Sequence, residues 1–178
     1  MMTKPKLWAR LMTLAAAVAL VALDQWLKVR MTWALAPPDG LPRVLLPGVL
    51  GLRYTENTGI SFSLFGDSQA AMRVVSALTA LVMLAGIVWL LLGKIGGAAP
   101  LCATALILAG GAGNLVDRLA HSFVTDYIEL LFVRFAIFNF ADVCITCGVI
   151  LVIGWVLWEE SRKRKATAAA VEDGGGKQ

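Results

Sequence analysis

Two stretches of this chain carry no charged residue at all, Val74 to Gly93 and Ile95 to Val116. Each is long enough to cross roughly 30 Å of hydrocarbon as a helix, and runs of that kind leave few alternatives to a bilayer. Composition agrees, because a chain of 178 residues that is 58% hydrophobic and 16% charged holds more apolar mass than a soluble domain of its size can bury. Leu11 to Leu23 is also uncharged and continues through Asp24 to about Met31, while Phe135 to Trp158 carries the single charge of Asp142. The pattern therefore predicts an all-α membrane protein with four transmembrane helices, at about 11–31, 74–93, 96–117 and 137–158. A single domain is expected over 1–165, with a disordered, Gly-rich polar tail over 166–178.

The amino-terminal segment imitates a secretory signal peptide, with Lys4, Lys6 and Arg10 ahead of an apolar run and Ala34-Leu35-Ala36 after it. Asp24, Lys28 and Arg30 interrupt that imitation and Pro37 follows it directly, so the segment reads as a retained span. Basic residues set the expected orientation: Lys4, Lys6 and Arg10, then Lys94, then Arg162, Lys163, Arg164 and Lys165 all fall on one side of an even number of spans. Both termini are thus expected in the cytoplasm. Arg43, Arg53, Arg73 and Arg134 are scattered over the outer segments, about 32–72 and 119–134. The net charge of +4 reports topology on this reading, and no nucleic-acid partner is expected.

Pro37, Pro38, Gly40, Pro42, Pro47, Gly48 and Gly51 break up the first outer segment, which favours short strands over helix. Within the outer segment at about 43–66, Leu50, Leu52 and Tyr54 alternate with Gly51, Arg53 and Thr55, a period of two that suggests a half-buried strand. Phe123 to Ile128 is a second extended candidate. Trp8, Trp26, Trp33, Trp155 and Trp158 lie near span ends, where an indole keeps its body apolar and its N–H wet. Cys102, Cys144 and Cys147 fall inside spans and read as small apolar residues, since no histidine or second cysteine pair accompanies the Cys144-x-x-Cys147 spacing.

Polar residues near the hydrocarbon share one membrane level. A charge at a helix centre costs about 2.5 to 3.5 kcal/mol on insertion scales, yet Asp24, Lys28, Asn57, Asn114, Asp117, Arg118, Asp126, Asn139 and Asp142 all fall at outer span ends or in outer segments. Asp24 with Lys28, and Asn114 with Arg118, stand four apart and share a helix face, as do Asn139 and Asp142 at three apart. Asp24 with Lys28 and Asp117 with Arg118 read as mutually neutralising structural pairs. Asp126 and Asp142 lack a basic residue at helical pairing distance, and two such acids are costly unless they meet and share a proton. One carboxylate could then activate water while its protonated partner polarises a carbonyl, as in aspartic proteases. Spacing alone leaves a proton relay or a hydrogen-bonded structural pair open.

Five strings in order carry a resemblance: Asp24-Gln25-Trp26-Leu27-Lys28, Asn57-Thr58-Gly59-Ile60-Ser61-Phe62, Gly110 through Arg118, Val124-Thr125-Asp126-Tyr127 and Phe138-Asn139-Phe140-Ala141-Asp142. The chain resembles the lipoprotein signal peptidases, or signal peptidase II, over nearly its whole length. That resemblance implies a four-helix bundle with a small extracytoplasmic β-sheet cradle and a catalytic pair at Asp126 and Asp142. It also implies substrate-binding or supporting roles for Asp24, Lys28, Asn57, Gly59, Asn114, Arg118, Asn139 and Ala141. Ser61 stands where many members have Ala. The implied substrate is a prolipoprotein carrying a diacylglyceryl-cysteine, cut just before that cysteine at the outer face of the membrane; membrane lipid is the other partner. No cofactor or metal is expected, and a monomer is. Gly110, Gly111, Ala112 and Gly113 serve either close substrate approach or ordinary helix packing. A relay should spread its acids through the membrane depth, whereas these cluster at one face. A non-catalytic lipid-binding assembly factor would tolerate Asp-to-Asn changes at both acids.

Overall fold

The protein, described here from a computed structural model, is defined over residues 5–36, 41–58 and 69–175. Its order is α1 (Leu7–Leu35), β1 (Arg43–Leu46), β2 (Leu50–Asn57), α2 (Gln69–Leu91), α3 (Ala98–His121), β3 (Val124–Leu130) and α4 (Phe140–Gly175). All four helices contain stretches long and apolar enough to cross a membrane. α3 sits at the centre: half of its apolar stretch is buried, against 6% for that of α2. The outward faces remain apolar, with Val18, Leu78, Leu84, Ile150 and Ile153 all exposed. Such a surface is stable only where lipid replaces water.

Small residues let α3 and α4 come together. A methyl group on Gly110 would overlap the Ala141 carbonyl oxygen, and one on Gly148 would stand 2.7 Å from Ile107 Cγ1. α1 turns Thr13, Ala17, Asp24 and Lys28 inward, a stripe recurring at helical spacing. At the end of the bundle away from the sheet, the Arg10 guanidinium donates to Leu91 O at 2.8 Å and to Pro5 O at 2.8 and 3.1 Å. That clip ties the start of α1 to the last carbonyls of α2, where Gly93, at φ +69°, ends the helix.

The three strands form an antiparallel sheet in the order β1-β2-β3. The expected period of two along β2 is broken, since Gly51 and Tyr54 are both buried. Pairing runs Leu52 with Ile128 and then Thr55 with Asp126, so β2 gains one residue on β3 and changes face. Ser122 adopts a left-handed conformation, φ 64°, that turns the end of α3 into β3. From β3 the chain doubles back, and Phe138 pairs with Ile128 through hydrogen bonds of 2.8 and 3.1 Å. This pairing occupies the residues just before Phe140, which is why α4 begins three residues later than expected. At its other end α4 runs on to Gly175, through the segment read as a disordered tail. Lys163 with Glu159 and Arg164 with Glu160, each four apart, brace the turns of α4 just before that segment. Pro37, Pro38, Gly40, Gly59 and Ser61 lie outside the described residues.

Candidate active site

The start of α4 fixes one acid directly. Asn139 immediately precedes the helix, and its Oδ1 accepts from Asp142 N at 3.0 Å while Asp142 Oδ2 accepts from Asn139 N at 3.0 Å. This is a reciprocal capping box built from Asn and Asp, with Asp142 in the third helical position. The other side of the same amide reaches Asp126: Asn139 Nδ2 donates to Asp126 Oδ1 at 2.7 Å. One side chain, with 0% of its surface exposed, thus joins both acids. Asp126 Oδ2 also accepts from Asn57 Nδ2 at 2.9 Å, and Asp142 Oδ1 accepts from Asn114 Nδ2 at 2.8 Å. The two acids line one cavity of about 460 Å³ with Asn57.

Beneath them lies a second, fully buried cluster. Lys28 Nζ meets Asp24 Oδ2 at 2.9 Å, Asp117 Oδ2 at 3.0 Å and Asn114 Oδ1 at 3.1 Å, which uses all three ammonium protons. One cation faces two acids, and neutral donors supply the rest: Ala141 N on Asp24 Oδ1, Thr125 N on Asp117 Oδ2 and Gln25 Nε2 on Asp117 Oδ1, all at 3.0 Å. Buried charges need such saturation, because an unmet one costs several kcal/mol. Asn114 links the layers, with its oxygen on Lys28 and its amide on Asp142.

Asp126, only 2% exposed, is pushed up to about 6, chiefly by burial and further by the charge of Asp142, against the lowering effect of the Asn57 and Asn139 amides. Asp126 therefore holds its proton to higher pH than an ordinary carboxyl does. Among the described residues, no set of three or more His, Cys, Asp or Glu side chains is placed to hold a metal ion.

A family model described as signal peptidase II matches residues 16–158. Lipoprotein signal peptidases from Streptococcus thermophilus and Streptococcus pneumoniae are 38% and 36% identical to the chain, over 82% and 79% of its length and 91% and 89% of theirs. The chain belongs to the signal peptidase II family. It is a peptidase of a bacterial membrane, with four helices suited to span it. The fold is shared with two solved structures of bacterial membrane enzymes: one at TM-score 0.77 and 25% identity, covering 92% of this chain and 96% of that one, and one at 0.73 and 26%, covering 88% and 97%.

Of the positions singled out in the sequence, Asp24, Lys28, Asn57, Asn114, Asp126, Asn139, Ala141 and Asp142 come together at the sheet end of the bundle. Gly59 lies outside the described residues. The expected neutralisation of Asp117 by Arg118 is not found, because Asp117 is held by Lys28 across the α1–α3 contact. The Arg118 charge acts first on Asp142, then on Asp126, and only then on Asp117. Adjacent helical residues point to different sides, so sequence neighbours make poor ion pairs. Nor does Asn114 pair side chain to side chain with Arg118, whose contact is to the Asn114 carbonyl at 3.5 Å. Sequence reasoning missed Gln25, which also donates to Gly113 O at 3.1 Å and so fastens α1 to α3. An amide in an apolar span was itself a signal.

Proposed function

We propose that this peptidase cleaves the signal peptide from diacylglyceryl-modified prolipoproteins just before the lipidated cysteine, at the outer face of the cytoplasmic membrane, with Asp126 and Asp142 as the catalytic pair. The observation that carries the reading is the shared Asn139 amide, which holds two acids of unlike surroundings against one cavity. Asp142 accepts from two N–H groups and serves as the carboxylate that takes a proton from water. Asp126 carries the proton that polarises the scissile carbonyl.

As water adds to the carbonyl carbon, one of its protons passes to Asp142 and the Asp126 proton passes to the carbonyl oxygen, giving a neutral gem-diol. Collapse breaks the C–N bond: the Asp142 proton goes to the leaving nitrogen and a gem-diol proton returns to Asp126. Atoms, charge and the resting protonation are restored. Arg118, acting on both acids from α3, supports the pair, and Asn57, donating from β2, supports it and lines the same cavity. Lipid on the substrate fits a site at the end of a membrane bundle, because each buried CH₂ contributes about 0.8 kcal/mol and concentrates the lipidated chain beside the enzyme.

The test is cleavage of a diacylglyceryl-modified prolipoprotein by purified protein with chelator present. Asp126→Asn and Asp142→Asn, each folded, are expected to lose at least about 10²-fold in kcat, the lower range for removing a positioned acid or base. Near-normal turnover by either variant would remove that residue from the chemistry.

A further inference from the structure

The cavity at the two acids does not end with them. It continues along α4 past Asp142 to Val143, Thr146 and Cys147, and is walled opposite by Leu130, Phe135 and Ile137. Positions 142, 143, 146 and 147 recur on one helical face, which sets Cys147 about 7.5 Å along the axis from Asp142, away from the sheet. Both lining carboxylates sit at the Asp126–Asp142 end. Val143 is 37% exposed and Cys147 is also exposed, so the flank of this trough opens toward the lipid-facing side of the bundle.

Its size limits what can lie there. A helix about 10–12 Å across would fill about 460 Å³ with roughly one turn, so a helical signal segment does not fit lengthwise. An extended hydrocarbon chain does, and the wall beyond the acids, formed by Leu130, Phe135, Ile137 and Val143, is apolar like the chain. Cys144, the other half of the Cys-x-x-Cys spacing, is buried and does not line the cavity, which leaves Cys147 as a wall residue.

We propose that this trough receives an acyl chain of the lipidated substrate and that Cys147, the small wall residue farthest along α4 from the acids, determines the chain length accepted. The inference rests on the peptidase reading above and assigns Cys147 a specificity role, distinct from the chemistry of the acids. Replacing the thiol by a phenyl ring shortens the trough without touching Asp126, Asp142 or their amides.

Purified wild type and Cys147→Phe are compared on two diacylglyceryl prolipopeptides of the same sequence, one with long and one with short acyl chains. Ile150→Phe, on the exposed face of α4 outside the cavity, serves as the bulk control. For Cys147→Phe, kcat/KM on the long-chain substrate is expected to fall about 10- to 100-fold relative to the short-chain one, the range typical of steric pocket discrimination. Ile150→Phe should leave the ratio unchanged. Equal losses on both substrates, as an extended peptide in the trough would give, or no loss on either, overturn the assignment while wild-type cleavage leaves the peptidase reading intact. A wild type that cuts neither substrate overturns both.

Discussion

Asp126 and Asp142 carry the same side chain in different company. Asp126 lies on β3, deeply buried between two amides, whereas Asp142 is half-exposed and placed within its own helix start. Because burial raises Asp126 to about 6, its acid form is present below that pH and lost above it. The alkaline limb of kcat/KM should therefore begin near 6 in the free enzyme. The limb in kcat should lie higher, because bound substrate removes more water from the acid. Asn57 donates to the ionised form, so Asn57→Ala should move the limb to higher pH. A pH-rate profile checks this, and lowered activity with an unmoved limb would make Asn57 a purely structural residue. At this scale the acids themselves were legible, because neither has a cation at helical spacing. The Asn139 amide was legible as a residue sharing a face with Asp142 and, through the resemblance, as a supporting residue, but not as the link between the two acids. Its reach to Asp126 depends on the Phe138–Ile128 pairing, a long-range contact with no local signature.

At the level of elements, glycine placement on α3 decides whether the site can close. A methyl group on Gly113 would lie 2.5 Å from Asp24 Oδ2 and 3.3 Å from Ala141 Cβ, in the tightest part of the α1–α3–α4 junction. Gly113→Ala should cost about 1–3 kcal/mol of overpacking and disturb the Asp24 contact to Ala141 N. Gly154, with nothing within 4 Å of an added methyl, provides the comparison: Gly154→Ala should leave Tm unchanged or slightly raised. Thermal unfolding in detergent reads both. The spans were legible because long uncharged runs have one good explanation, and β3 because it is short and extended. The bulge in β2 was not, since alternating side chains record a regular pairing, whereas the extra residue arises only when β3 sets the register. The glycine run left substrate approach and helix packing open, and the geometry supports packing: Gly110 meets Ala141 and Ile145, and Gly113 meets Asp24 in the charged cluster under the acids.

For the whole molecule, the clip from Arg10 to α2 places the start of α1 and the end of α2 at one end of the bundle, with the sheet at the other. Basic residues near the first end favour the cytoplasm, which would put the sheet and the cavity outside. In intact cells, a membrane-impermeant maleimide should label Leu41→Cys, 95% exposed in the wild-type residue beside β1, and not Lys94→Cys. The unsubstituted chain corrects for native thiols, and the reverse labelling would invert the proposed topology. Hydropathy made the membrane legible, yet the side-chain partners across helices required the fold, as Lys28 choosing Asp117 shows. Asn139 then has a consequence for how the protein comes into being. The amide that starts α4 is also the one that grips Asp126 on a separate piece of chain. On the proposed chemistry, a newly inserted chain whose helices have crossed the membrane without gathering around α3 would hold its acids apart and could not cleave, sparing neighbouring proteins until the bundle closes.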